Sequence, residues 1–193
     1  MIANVVWENL KFVTGNPNKV REAGQILGVR LEQAEVAGLH EIQTNDIEEL
    51  VRHKAETAHA RLRCPVLVED SGLIFSAWNG LPGALVKWFE STVGCAGLIK
   101  MLEPFENREA FAVCYVAVHD GENISVAKGA VRGRVADSLR GSGGFGWDVL
   151  FIPDGHDRAY AEMTAEEKNA ISHRKLAFME LKKLFGSSSE QGR

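Results

Sequence analysis

The sequence predicts an α/β domain, and three features support this fold class. Leu10–Thr14 is typical of a short strand, and a Gly-Asn-Pro-Asn break separates it from a helical run at Lys19–Leu27. An apolar run at Pro65–Val68 is typical of a buried strand. Ala110–His119 and Ile124–Val135, separated by Asp-Gly-Glu-Asn, predict a long hairpin. Strands and helices therefore share one chain.

Four further helices are predicted. Ile47–Arg61 has apolar residues at helical spacing, and Asp46 precedes it as a cap. Two short helices are predicted at Ala84–Glu90 and Cys95–Leu102. A final helix is predicted at Ser172–Phe185, on the strength of its regularly spaced apolar residues.

Length and composition fit a globular protein. The 193 residues are 45% hydrophobic, which supports one core, so residues 1–185 are predicted as a single domain and 186–193 as a disordered tail. The longest uncharged apolar stretch, Ser71–Val86, contains three glycines and a proline, and falls short of the roughly 20 residues of a membrane helix. Met1–Leu10 has no secretion signal, and the three cysteines are dispersed, as is typical of buried free thiols in a reducing compartment. A cytoplasmic protein without a membrane partner is therefore expected.

The net charge of −4 argues against polymeric nucleic acid as a partner. No stretch concentrates Lys and Arg into a patch that could follow a phosphate backbone. A single nucleotide is still compatible with this charge, because a few well-placed cations neutralise one triphosphate.

The loop Thr14–Lys19 is a candidate anion site. It joins a strand end to a helix start, where backbone N–H groups and the helix dipole favour an anion, and Lys19 adds a full positive charge. It matches neither the P-loop nor the Rossmann glycine pattern. Taken alone, a strand–turn–helix with one lysine is usually just a connection.

Two acidic residues, Glu69 and Asp70, follow the apolar run and are expected in a loop at the end of that strand. Carboxylates held there would present Mg²⁺ to phosphates, and the alternative is two solvated loop acids. Glu41 is a candidate for completing such a metal site, with Glu48 and Glu49 as nearby competitors.

Two further segments suggest a binding pocket. Phe145–Asp148 places two aromatic residues and an acid beside a glycine-rich loop, which fits buried packing or, alternatively, a platform for a purine. Lys168–Arg174 clusters three potential cations where a helix is expected to begin. Cations there oppose the helix dipole, a local conflict that usually signals a bound anion or base, although Lys168 also fits a solvated basic turn.

Five motifs in this order resemble the Ham1-like family of inosine triphosphate pyrophosphatases, over nearly the whole chain. They are Thr14-Gly15-Asn16-x-x-Lys19, Val68-Glu69-Asp70-Ser71-Gly72-Leu73, Gly80-Leu81-Pro82-Gly83, Phe145-Gly146-Trp147-Asp148 and Lys168-Asn169-Ala170-Ile171-Ser172-His173-Arg174. The resemblance implies an elongated, mixed, twisted sheet flanked by helices, two lobes around a central nucleotide-binding cleft, and a homodimer. It also implies Mg²⁺-dependent hydrolysis of ITP, dITP and XTP to the monophosphate and pyrophosphate, with Mn²⁺ as a substitute metal.

Residue roles follow from the same resemblance. Glu41 and Asp70 would hold the metal, while Asp70, supported by Glu69, would accept a proton from the attacking water. The substrate-binding residues would be Thr14, Gly15, Asn16, Pro17, Asn18, Lys19, Lys54, Ser71, Lys87, Phe145, Gly146, Trp147, Asp148, Lys168, His173 and Arg174. Within this set, the residues that would bind the phosphates are Thr14, Asn16, Lys19, Lys54 and Lys168, with Lys87 near them. The residues Phe145, Trp147, Asp148, His173 and Arg174 would form the base pocket.

Arg174 is the residue expected to read the base. Its guanidinium only donates hydrogen bonds, so it suits the O6 acceptor of hypoxanthine or xanthine and opposes the amino group of adenine. Two other functions remain open at this point: hydrolysis of another aberrant or pyrimidine triphosphate, and a nucleotide sensor without catalysis.

Overall fold

A computed structural model describes residues 7–39 and 41–186. Its strands are β1 (Lys11–Val13), β2 (Glu32–Ala34), β3 (Val66–Phe75), β4 (Pro82–Gly83), β5 (Glu109–His119), β6 (Ile124–Val135) and β7 (Phe151–Pro153). Its helices are α1 (Pro17–Leu27), α2 (Ile47–Leu62), α3 (Val86–Thr92), α4 (Gly94–Leu102), α5 (Ala165–Ile171) and α6 (His173–Gly186). The predicted α/β class is confirmed.

The strands form one mixed sheet in the order β2-β1-β3-β5-β6-β7, with β4 also paired to β3. β1 runs parallel to β2 and β3, and the other pairings are antiparallel. On one edge of β3, β1 pairs with Val66 and Leu67, while β4 pairs with Leu73 and Ile74. Residues 68–72 therefore lie at the gap between β1 and β4.

Helices cover both faces of the sheet. On one face, Val51, Ala55 and Ala58 of α2 pack against alternate residues of β3, Val66 and Val68. On the other face, α1 and α6 pack against the intervening Leu67 and its neighbours, with these core residues: Phe12, Ala23, Val116, Phe178 and Leu181. Since side chains alternate along a strand, neighbouring residues of β3 face different helices.

Gly129 of β6 sets the position of α6. A Cβ at this residue would lie 2.1 Å from the carbonyl oxygen of His173 and 2.4 Å from the backbone nitrogen of Ala177. Only glycine permits this approach, because real Cβ contacts are never so short. The close packing brings the first turn of α6 over the middle of the sheet.

Three expectations need correction. The strand expected at residues 65–68 continues to Phe75, because β3 pairs with β5 over ten residues. Lys168 lies in the last turn of α5, a helix that the sequence did not predict, so its charge complements the helix dipole. Of the three cysteines, which are all free, Cys114 is buried and the other two are half-buried.

The ends of the chain limit two other predictions. Gly186 belongs to α6, and residues 187–193 of the predicted tail lie outside the described residues. The single-domain and two-lobe organisation stays a prediction. No helix within residues 7–39 and 41–186 has both the length and the apolar character needed to cross a membrane.

Candidate active site

The loop between β1 and α1 is ordered by its own side chains. The Thr14 hydroxyl accepts a hydrogen bond from the Asn16 backbone at 3.1 Å, and the Asn16 amide oxygen caps α1 by accepting from the Asn18 backbone at 2.9 Å. Pro17 lies in the first turn of α1. A backbone N–H at this position would have no hydrogen-bond acceptor within the helix, so proline, which lacks this group, loses no hydrogen bond. A Cβ at Gly15 would meet no atom within 4 Å, so the space beside this loop is open.

Glu69 and Asp70 lie inside β3 rather than in a loop, and they point to opposite faces of the sheet. Glu69 pairs in register with Val116 and Asp70 with Tyr115. The Glu69 side chain is fully buried, whereas 16% of the Asp70 side chain is exposed. Lys19 reaches both carboxylates from α1, at 3.4 Å and 3.9 Å. Asp70 therefore faces the cleft, and Glu69 lies beneath it.

A buried network of charges ties α1, β3, α5 and α6 together. Arg174 donates two hydrogen bonds to the Glu69 carboxylate at 2.7 and 2.9 Å, one to Glu22 at 2.5 Å and one to the Ser71 hydroxyl at 3.1 Å. Lys168 donates to Glu22 at 2.9 Å and to Asp148 at 2.5 Å. Each long charged side chain in this network is at most 5% exposed.

The network determines which groups are ionised. Burial alone would raise the pKa of Glu69, but the charges of Arg174 and Lys19 lower it well below its ordinary value. For Asp148, burial outweighs the opposing effect of Lys168, and its pKa is raised. Four of the five N–H groups of Arg174 already have partners within the network. Among the described residues, one N–H group of Arg174 has no partner and is left for a base. The predicted recognition of O6 by Arg174 stays a prediction.

Lys54 joins the two predicted metal ligands. Its ammonium group lies 2.9 Å from a Glu41 oxygen and 3.1 Å from an Asp70 oxygen. Burial alone would lower the pKa of Lys54, but the Asp70 and Glu41 carboxylates raise it above its ordinary value. The pKa of Asp70 shifts in the opposite direction: burial alone would raise it, but the charges of Lys19 and Lys54 lower it. Two carboxylates therefore converge on one cation.

Glu41 is the acid that the structure brings to Asp70. The competing Glu48 pairs with Arg52, and Glu49 accepts a hydrogen bond from Thr44. No group of three metal-ligating residues occurs in the described part of the chain. A pair of carboxylates still fits Mg²⁺, which is usually held by one or two carboxylates, with phosphate oxygens and water completing its shell.

The base end is built around a short 3-10 helix, Gly146–Val149. Asp148 accepts a hydrogen bond from the Phe145 backbone at 2.8 Å. The Phe145 ring lies 4.7 Å from the ammonium of Lys168, and the Trp147 ring centroid lies 5.2 Å from that of His173. His173 is 2% exposed, and its Nδ1 has no hydrogen-bond partner among the described residues.

Most predicted substrate residues line two adjoining cavities. One is lined by Asn16, Lys19, Asp70, Ser71, Lys87, Phe145, Gly146, Trp147, Asp148, Lys168, His173 and Arg174, together with Val86 and Glu90. The other shares five residues with the first, Asn16, Lys19, Asp70, Ser71 and Lys87, and adds Thr14, Gly15, Pro17, Glu41 and Lys54. Asn18 and Glu69 line neither cavity. This cleft suits a ligand with several negative charges at one end and a flat ring at the other.

Sequence reasoning missed two acidic residues of this site, Glu22 and Glu90. Glu22 is 4% exposed and lies one helical turn after Lys19 on α1. This spacing from Lys19 was the feature of the sequence that could have identified Glu22 as a site residue. Glu90 follows Val86 by four residues on α3, which places it on the buried face of that helix. Both residues break the apolar character expected of a buried face.

Comparison with known proteins gives a consistent result. A sequence model of a protein family, described as the Ham1 family, matches residues 10–184 of this chain. A dITP/XTP pyrophosphatase of Thermococcus kodakarensis is 43% identical over 174 residues, covering 89% of this chain and 94% of the relative. An inosine triphosphate pyrophosphatase of Schizosaccharomyces pombe is 43% identical over 180 residues, covering 92% and 95%. The resemblance found in the sequence is confirmed.

Solved structures agree with the sequence relatives. The Staphylococcus aureus Ham1 protein matches with a TM-score of 0.78 at 26% identity, covering 92% of this chain and 99% of that protein. A HAM1 protein from Coxiella burnetii matches with a TM-score of 0.75 at 28% identity, covering 94% and 99%. The mixed, twisted α/β architecture is therefore shared with these proteins.

Proposed function

The chain belongs to the Ham1 family, and from this membership we propose that it hydrolyses the non-canonical purine nucleoside triphosphates ITP, dITP and XTP to monophosphate and pyrophosphate. Such an enzyme is a hydrolase acting on acid anhydrides. The observation that best supports the proposal is the cleft itself, which has lysines and carboxylates at one end and Phe145, Trp147 and His173 at the other.

Reactions in this family depend on a metal, and we assign Mg²⁺ to Glu41 and Asp70 because these carboxylates already converge on a cation. When bound, the metal would neutralise phosphate charge and polarise water. Lys19, Lys54 and Lys87 would bind the phosphate oxygens and neutralise the charge that develops on pyrophosphate as it leaves.

Asp70 is assigned the task of orienting the attacking water. The water oxygen attacks the α-phosphorus and releases a proton to the solvent, the bond between the α-phosphorus and the bridging oxygen breaks, and pyrophosphate leaves with the electron pair. The lowered pKa of Asp70 keeps it ionised at neutral pH, so it accepts a hydrogen bond from water but holds a proton poorly. Glu69 would act through Arg174 and Lys19, which it holds in place.

The proposal is tested by pyrophosphate release from ITP, XTP, ATP, GTP and a pyrimidine triphosphate. We expect ITP and XTP to be hydrolysed with Mg²⁺ or Mn²⁺, Ca²⁺ to be a poor substitute because its coordination is longer and looser, and excess chelator to stop the reaction. Preference for a pyrimidine triphosphate would favour the alternative substrate class. Binding of ITP without release of pyrophosphate, whichever metal ion is present, would indicate a nucleotide sensor without catalysis.

Lys19→Ala should raise KM and lower kcat for ITP, because a phosphate contact that strengthens as negative charge develops affects both constants. Steady-state kinetics would show this effect beside Lys100→Ala, which removes an exposed lysine of α4 outside the cleft. Equal kinetic constants for the two variants would remove Lys19 from the phosphate site.

A homodimer and a cytoplasmic location are also part of the proposal. Free thiols at Cys64, Cys95 and Cys114 fit a reducing compartment. Both properties stay predictions.

A further inference from the structure

Glu90 enters the base end of the cleft from α3. It lines the same cavity as Gly146, Trp147 and Asp148. A Cβ built on Gly146 would lie 3.0 Å from the Glu90 Oε1 atom, so the carboxylate lies directly against this turn of backbone. Glu90 therefore lies where the base is expected, and it does not line the second cavity, which contains Glu41.

The Oε1 atom of Glu90 is buried and has no hydrogen-bond partner among residues 7–39 and 41–186. The other cleft carboxylates have partners: Asp70 has Lys54, and Asp148 has Lys168 and the Phe145 backbone. A buried polar atom left without a partner is unfavourable, and in a binding cavity the missing partner is naturally a ligand atom.

The surroundings of Glu90 favour its uncharged form. Burial raises its pKa to about 7, with the negative charge of Asp148 adding to the effect and Lys19 opposing it. Cys95 of α4 also faces it; burial raises the pKa of that thiol to about 11, so it contributes no charge near neutral pH. A carboxyl group that keeps its proton donates a hydrogen bond instead of accepting one.

We propose that Glu90 is a specificity-determining residue whose carboxyl group donates a hydrogen bond to a carbonyl oxygen of the purine base. The inference rests on the proposed function. Hypoxanthine and xanthine present such an acceptor at position 6, where adenine presents an amino donor. Arg174, the donor expected from the sequence, has four of its five N–H groups committed to Glu69, Glu22 and Ser71. Glu90 supplies a donor outside that network.

Two variants test this assignment. Glu90→Gln keeps a donor at every pH, and Glu90→Leu removes the polar group with similar volume and relieves the unpartnered oxygen, so both should fold. The readout is the ratio of kcat/KM for ITP to that for ATP at pH 6, 7 and 8. The two substrates share one triphosphate, so phosphate ionisation cancels in the ratio.

The wild-type ratio should fall about three- to tenfold from pH 6 to pH 8, because the donor form exists below the pKa and is lost above it. Glu90→Gln should retain the preference for ITP without this pH dependence. Glu90→Leu should lose roughly tenfold of the preference at pH 6. Glu106→Gln, the same change at an exposed glutamate, should match the wild type.

An ITP to ATP ratio in Glu90→Leu that equals the wild-type ratio at all three pH values would overturn the inference. A loss of the preference for ITP that is as large in Glu90→Gln as in Glu90→Leu would also overturn it. In either case ITP hydrolysis by the wild type leaves the proposed function intact. Failure of the wild type to hydrolyse ITP would overturn the proposed function, and this inference with it.

Discussion

Asp70→Asn should lower kcat for ITP by about 10³-fold or more while the protein stays folded. The amide keeps the shape of the side chain but removes the charge that faces Lys54 at 3.1 Å and, when bound, the metal. It also weakens the acceptor that orients the attacking water. Rapid-quench measurement of a single turnover would separate this loss in chemistry from slow product release.

Asp157→Asn provides the matched control, because the Asp157 side chain is fully exposed and its contact with Arg134 is 3.9 Å long. This variant should have wild-type kinetics. Circular dichroism and thermal unfolding should show that both variants are folded. Turnover of Asp70→Asn within a few-fold of the wild type would contradict the role of Asp70 in the reaction.

Arg174→Ala should lower the free energy of unfolding by about 3–5 kcal/mol, because it removes the main partner of Glu69 and one of the partners of Glu22 inside the protein. Glu69 is fully buried, and among the described residues Lys19, at 3.4 Å, would be its remaining cationic partner. Urea unfolding at neutral pH measures this loss. Because Arg174→Ala is expected to be less stable, its preference for ITP over ATP has to be measured under conditions in which the variant is fully folded.

The stability loss should depend on pH in a definite direction. The pKa of Glu69 is lowered in the folded protein, so its ionised form stabilises the fold above its ordinary value of 4.5, and this contribution is lost as pH falls through the lower folded value. The difference between wild type and Arg174→Ala should therefore shrink in acid.

Arg132→Ala is the control for Arg174→Ala, since Arg132 pairs with Glu109 at a site where 63% of its side chain is exposed. Exposed ion pairs contribute about 0–1 kcal/mol. If Arg174→Ala is no less stable than Arg132→Ala, the buried network does not stabilise the fold by the expected amount.

Local sequence predicted many of the elements. Asp46 caps α2 through its side chain, as expected from the Asp before an apolar helical period. The Asp-Gly-Glu-Asn turn joins β5 and β6, which pair over eleven residues. These features depend on hydrogen bonds and periodicities within a few residues, which a sequence displays directly.

The motifs also identified most residues of the cleft, because charged and aromatic side chains next to loops carry a chemical signal of their own. The sequence alone did not show which residues these side chains contact. It placed Glu69 in a loop, whereas pairing with β5 extends β3 through it and buries it under Arg174. It assigned Lys168 to a helix start, whereas Glu22 and Asp148 neutralise it at the end of α5.

What the sequence determined by itself is therefore the α/β class, most elements and the chemical character of the cleft. The tertiary structure decided which charges are neutralised inside the protein and which remain available to a ligand. The physical reason is distance along the chain: Arg174 and Glu22 are 152 residues apart, and Lys168 and Glu22 are 146 apart. Such partners meet only because the sheet fixes α1 and α6 on one face. Among the described residues, the Glu90 Oε1 atom is left without a hydrogen-bond partner.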